Sequence, residues 1–195
     1  MMKKVTFLFL IALNSFIFAQ EQGKLRVNFD LGYAIPSGGG NGVSIYFEPM
    51  YNIKENINVG LRIGTPVLVR KIDYFSGETT ETSGNTNVSF IATTDYHFNK
   101  TNPSLIPFIG GGIGYTSIAN ISYEPFSNTD NKTEYIGRIN GMIRGGFEWK
   151  KLRFNIDYNF IPQSDLIDTN GDKIGDSKNS YFGINLGFFV GGGKW

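Results

Sequence analysis

The chain has 195 residues, a formal net charge of +1 from 18 basic and 17 acidic side chains, and no cysteine. That balance gives nucleic acid no electrostatic reason to bind, and the missing thiols exclude disulfides, thiolate metal sites, cysteine nucleophiles and a lipidated N-terminal cysteine. One domain fits the length, with no linker or repeated block to divide it.

Residues 1–20, MMKKVTFLFLIALNSFIFAQ, place Lys3 and Lys4 before an apolar run and a small residue, Ala19. This reads as a secretory signal peptide cleaved near Ala19 or Gln20, which leaves residues 21–195 as the mature domain. An uncleaved anchor helix is the rival, but the apolar core is shorter than the roughly 17–25 residues of a membrane span. Past residue 20 no apolar stretch is long enough for a spanning helix, so a membrane crossing would have to be made by strands.

Alternation of apolar and polar side chains, the signature of a strand, then runs through the chain. The first segment sets Leu25, Val27, Phe29, Leu31, Tyr33 and Ile35 against Arg26, Asn28 and Asp30, and ends at Pro36 and SGGGNG. A second has Val43, Ile45, Phe47 and Tyr51 against Ser44, Glu48 and Asn52, closed by the tight turn KEN. A third has Ile57, Val59, Leu61, Ile63 and Val67 against Asn58, Arg62 and glycines. The fourth sets Val88, Phe90, Ala92, Tyr96 and Phe98 against Ser89, Thr93, Asp95 and His97, and the glycine-dense fifth, PFIGGGIGY, shows its phase only through Ile109, Ile113 and Tyr115. In YIGRINGMIRGGFEWKKLRFNIDYNF, apolar residues hold odd positions up to Trp149 and even positions from Leu152, so Lys150-Lys151 is the turn of a hairpin. The last segment runs Phe182, Ile184, Leu186, Phe188, Val190.

Connections alternate short and long. SGGGNG, residues from about 70 to 86, 120 to 133 and 162 to 179 belong to one end, and KEN, NKTNPS and KK to the other. An even strand number and segments of roughly 10–13 residues fit an eight-stranded antiparallel up-and-down transmembrane β-barrel, all-β throughout, since a tilted strand crosses hydrocarbon in about 9–11 residues.

With the polar faces inward, the strand midsections supply Asp30, Glu48, Arg62, Asp95, Arg138, Arg144, Glu148 and Asp157. These lie on facing or neighbouring strands and form an expected lumen-facing polar network. Arginine is the base at each position, and guanidinium suits a confined site because it is weakly hydrated and grips carboxylates through two parallel hydrogen bonds. The opposite assignment gives a soluble, lipocalin-like binding barrel with a dry apolar core. Two features favour lipid outside. The apolar face is almost free of charge at mid-strand, where a lipid-facing Arg or Lys costs about 2–4 kcal/mol. Tyr33, Tyr51, Tyr96, Phe98, Tyr115, Tyr135, Phe147, Trp149 and Phe160 also gather at strand ends, where interfacial girdles sit, although aromatics are good strand formers anywhere.

The signal peptide, PFIGGGIGY at 107–115 and the closing YFGINLGFFVGGGKW together resemble the small outer-membrane β-barrel family that includes OmpX-, OmpA- and OmpW-type domains, especially those of the Bacteroidetes kind. The resemblance covers the mature chain. It implies eight strands in the outer membrane of a Gram-negative cell, export through the periplasm, insertion by the barrel assembly machinery, and a C-terminal aromatic as assembly signal. Trp195 and Phe188 both compete for that last role, because Trp195 is out of phase with Val190.

Site chemistry is sparse. His97, the one histidine, stands beside Asp95 at the end where barrel hydrolases do not place a catalytic histidine, so no catalytic residue is expected. DTNGDKIGD puts Asp168, Asn170, Asp172 and Asp176 at calcium-loop spacing but lacks the glycine at the sixth position and the acid at the twelfth. A solvated loop is the better reading, with no metal or cofactor. The glycine runs at 38–40, 110–112 and 191–193 precede no helix, and fit tight turns and close-curving strands better than phosphate binding. The functional expectation is a non-enzymatic structural or surface-interaction barrel with a plugged polar interior, in contact with outer-membrane lipid and with a loop partner that the sequence does not name. The alternative is a narrow channel or transport accessory for small or hydrophobic solutes.

Overall fold

The computed structural model describes residues 22–74, 79–98, 105–121, 133–167 and 173–192. Its segments are β1 (Leu25–Pro36), β2 (Gly40–Lys54), β3 (Ile57–Gly64), β4 (Val67–Tyr74), β5 (Thr79–His97), β6 (Ile106–Ile121), β7 (Thr133–Trp149), β8 (Leu152–Phe160), β9 (Ser164–Ile167), β10 (Lys173–Ser177) and β11 (Tyr181–Gly191). They make the eight staves of one closed antiparallel barrel. Pairing runs β1–β2–β3–β5–β6–β7–β8–β11, and β11 closes the ring on β1 along Tyr181↔Pro36 to Gly191↔Arg26.

Three staves are interrupted, and each break has a local cause. Pro66 has no N–H to give a ladder, so β3 and β4 part at Thr65-Pro66; hydrogen bonds from Thr65 N to Ile45 O and from Asn87 N to Pro66 O, both 3.0 Å, carry the sheet across. Pro162 parts β8 from β9 at the same level as the β10–β11 break. There Ser180 Oγ donates to Ile161 O at 3.0 Å, and Asn179 Nδ2 donates to Pro162 O at 2.7 Å and to Ser164 Oγ at 2.8 Å. Side chains replace the missing backbone bonds.

The strands outrun the expected length. β5 has 19 residues, β6 has 16 and β7 has 17, and two of the expected long loops are largely paired strand. β4 and β5 run together from Val67↔Thr86 to Asp73↔Thr79, and β9 and β10 form a hairpin from Ser164↔Ser177 to Ile167↔Lys173. β10 also pairs with β4 above the short β1–β2 turn, through Gly175↔Tyr74 and Asp176↔Asp73. Residues 79–86 have no apolar side chain at odd or even positions, so apolar/polar alternation could not reveal them. Their threonines, as in Thr79, Thr80 and Thr82, still favour extended backbone.

The alternation sorts outside from inside as the period dictates. Every large apolar residue of the outward phase that is described in β1 is exposed apart from Val27, with Leu31 at 62%, and Ile113 of β6 and Ile139 of β7 reach 65% and 69%. The inward neighbours in β1 are buried. Tyr33, Tyr51, Tyr96, Phe98, Tyr115, Phe147, Trp149 and Phe160 all lie exposed on the outer wall, while the side chain of Tyr135 lies outside the described residues. Phe188 stacks on Phe29, centroids 5.4 Å apart, across the closing seam; Trp195 lies outside the described residues.

Candidate functional site: the charged interior

Inward positions at the short-turn end and mid-barrel carry Arg26, Arg62, Arg144 and Arg153 facing Asp30, Glu48, Asp95, Glu148 and Asp157, all buried. Arg144 on β7 is the hub. Its Nε and Nη2 donate to Asp95 at 2.7 and 2.9 Å, and its Nη1 and Nη2 donate to Glu48 at 2.9 and 2.7 Å. One planar fork thus serves two carboxylates from β5 and β2, a geometry that lysine's point charge could not supply.

The network spreads from this hub in both directions. Toward the short turns, Arg153 donates to Asp95 Oδ2 at 2.9 Å and to Glu148 Oε1 at 3.4 Å, and Arg26 pairs with both oxygens of Glu148. Toward the long connections, Arg62 donates to Asp157 Oδ2 at 2.9 Å and to Met142 Sδ at 2.8 Å. Amides and a hydroxyl fill the remaining lone pairs: Thr93 on Glu48 at 2.6 Å, Asn185 and Asn159 on Asp157 at 2.7 Å each. Three guanidiniums also lie over rings, Arg62 over Tyr46 at 3.5 Å, Arg26 over Phe189 at 3.9 Å and Arg153 over Phe108 at 4.2 Å. Stacking gives the flat cation a second kind of partner.

Asp30 differs. Its Oδ2 accepts from Asn155 at a long 3.4 Å and its Oδ1 has no hydrogen-bond partner. It is the fifth carboxylate among four guanidiniums.

Glycine makes the room. Asp30, Asp95 and Asp157 stand in register opposite Gly187, Gly110 and Gly183, and a Cβ on any of those glycines would run into the facing carboxylate. The same holds for Gly64 against Tyr46 and Gly60 against Met50. The run at 110–112 therefore clears space for side chains folded sideways into a narrow barrel. The run at 38–40 lies at the β1–β2 turn, with positive φ at Gly39 and Gly40, and Gly191 and Gly192 at the end of β11 also have positive φ; Gly193 lies outside the described residues.

Of the eight expected network residues, seven meet inside: Asp30, Glu48, Arg62, Asp95, Arg144, Glu148 and Asp157. Arg138 does not. It keeps the inward phase but lies half-buried beyond the packed zone, where its one described hydrogen bond goes to Gly137 O at 3.4 Å. Arg26 and Arg153 were missed because they stand at strand ends beside lysines. Their signal was the phase itself, which is that of Asn28 and Asn155.

Above the charges lies an apolar layer of Ala34, Leu68, Ile118, Ile161 and Tyr181, all buried. Tyr181 and Tyr46 meet hydroxyl to hydroxyl at 3.0 Å at its lower edge. His97, at the other end, stacks on Phe108 at 5.4 Å with Nε2 3.4 Å from Glu148 Oε1. Its neighbours are those of a lumen-end residue. Of the calcium-like spacing, Asp168, Asn170 and Asp172 lie outside the described residues, while Asp176 sits on β10. Among the described residues no three His, Asp or Glu side chains are arranged to hold a metal.

No protein-family model and no curated protein matches the chain. Solved structures do. Neisserial surface protein A is 13% identical with a TM-score of 0.56, covering 86% of this chain and 95% of that one. The outer membrane protein OprG from Pseudomonas aeruginosa is 9% identical with a TM-score of 0.54, covering 90% and 99%. At these identities the likeness is one of fold: a small eight-stranded β-barrel.

Proposed function

We propose that the chain is an integral outer-membrane β-barrel of a Gram-negative cell, exported through the periplasm, with an interior filled by its own side chains. Its role in this reading is structural or surface-interacting and non-enzymatic. The observation that carries it is the inverted partition: among the described residues the apolar phase faces out on all eight staves while the charges pair with one another inside. In water that wall would be a contiguous apolar surface far larger than the few hundred Å² that soluble monomers expose, whereas in lipid it is the required one.

An eight-stranded barrel has an interior just wide enough for side chains to fill. Here the Glu48–Arg144–Asp95 cluster and the layer at Leu68 and Tyr181 lie in series along the axis, which weighs against the narrow-channel alternative. A lipocalin-like soluble barrel would need an apolar cavity, and this interior is ionic. Partners in this reading are outer-membrane lipid, the barrel assembly machinery during insertion, and an extracellular ligand for the long connections. Fractionation with gel migration of heated against unheated protein, followed by planar-bilayer recording, tests it. The expected result is a heat-dependent mobility shift in the outer-membrane fraction and no steady conductance; a soluble, shift-free protein would refute the membrane location, and large steady channels the filled interior.

A further inference from the structure

The short-turn end carries a cationic rim. Among the described residues it holds Lys24 ahead of β1, Lys54 closing β2, and Lys150 and Lys151 forming the β7–β8 turn, with Glu55 as the one carboxylate in these connections. Lys54 and Lys150 are exposed.

Lys150 stands out by its backbone. Among the described residues it is the one non-glycine with positive φ, 56°. A two-residue hairpin turn adopts that left-handed conformation most readily with Gly or Asn, so lysine here carries a backbone cost that glycine would spare. Such strain is characteristic of positions where the side chain has a function. The Lys150 ammonium lies 5.5 Å from the Trp149 ring centroid, and Trp149 is exposed on the outer wall between Phe147 and Leu152. A tryptophan at the edge of the apolar belt marks the headgroup level, which sets the adjoining ammonium at the depth of lipid phosphates. Lys151 donates to Gly191 O at 3.3 Å and lies 4.8 Å from the Phe189 ring. Burial, and then the Arg26 charge, hold its ammonium below the ordinary lysine range, against the pull of Glu148.

We propose that this rim binds the phosphate groups of anionic phospholipids in the surrounding leaflet at two places on opposite sides of the ring, the β7–β8 turn with Lys150 and Lys151 and the β2–β3 turn with Lys54. The inference rests on the membrane-barrel reading above and on charge complementarity. A lysine close to an anionic membrane surface contributes roughly fivefold in partition, so each of the two places makes a preference large enough to count.

The test uses the full mature chain folded into nanodiscs of equal phosphatidylglycerol and phosphatidylcholine, with the lipids retained on ejection counted by native mass spectrometry. Phosphatidylglycerol should be retained over phosphatidylcholine by about fivefold or more. The preference should vanish in Lys54→Gln/Lys150→Gln/Lys151→Gln and survive in the matching Lys→Arg triple variant. Lys150→Gly should make the protein harder to unfold while lowering the enrichment, separating backbone strain from lipid binding. Equal retention of both lipids by wild-type protein that still shows the heat-dependent shift would overturn the inference and leave the barrel reading standing. Enrichment that persists in the glutamine variant would also overturn it. Absence of the shift in every lipid would instead remove the barrel reading, and this inference with it.

Discussion

The two layers of the interior are built on different physics. Around Arg144 the packing is directional: two carboxylates held by one guanidinium at 2.7–2.9 Å, with Gly110 leaving room for the facing Asp95 carboxylate. Around Leu68 it is a matter of shape, with Ala34, Ile118, Ile161 and Tyr181 excluding water and little else. In the charged layer a paired ion that loses its partner stays buried, so the loss is costly. The apolar layer loses only contact and volume when it is trimmed.

That contrast orders the expected effects of substitution, each read from urea unfolding of the protein in lipid vesicles. Arg144→Ala strands Glu48 and Asp95 without their shared cation, and breaking a buried pair in this way costs about 3–5 kcal/mol; a loss under about 1 kcal/mol would mean that water reaches the pair and the layer is not sealed. Ile156→Arg sets a charge on the outer wall near mid-depth and should cost roughly 2–4 kcal/mol, with Ile156→Ala costing much less; equal costs would show that lipid does not contact that face. Leu68→Ala should cost about 2–3 kcal/mol, at the low end for a buried leucine if neighbours in a small layer relax into the space. Asp30→Asn should be close to neutral or stabilising, since it removes the one carboxylate of the buried cluster without a guanidinium partner, whereas Asp95→Asn should destabilise clearly. If the two aspartates respond alike, the distinction between paired and surplus charge fails.

Much of this was legible in the sequence, for reasons that can be named. Period-two alternation from Leu25 to Val190 was enough for barrel and phase, because one wall must be uniformly apolar. The charges at Glu48, Asp95, Arg144 and Asp157 stood out because they share the polar phase at mid-strand, opposite a face almost free of charge. The apolar layer stayed hidden, since Ala34, Leu68 and Ile118 occupy the polar phase and look like lapses in the alternation. The use of Gly110, Gly183 and Gly187 stayed hidden too, because an aspartate opposite a glycine is a fact of register and appears only once strands are paired. Arg138 was overread for the converse reason: its phase is right, but it lies past the packed zone.

The most direct test of the central claim, that the apolar phase meets lipid and the charged phase meets itself, exploits the absence of native cysteine. Nitroxide labels placed one at a time along residues 139–148 of β7, with the protein in bilayers, report collision with dissolved oxygen, which concentrates in hydrocarbon. The account expects accessibility to alternate with period two, high at 139, 141, 143, 145 and 147 and low at the even positions. High accessibility at the even positions, or no alternation, would contradict it.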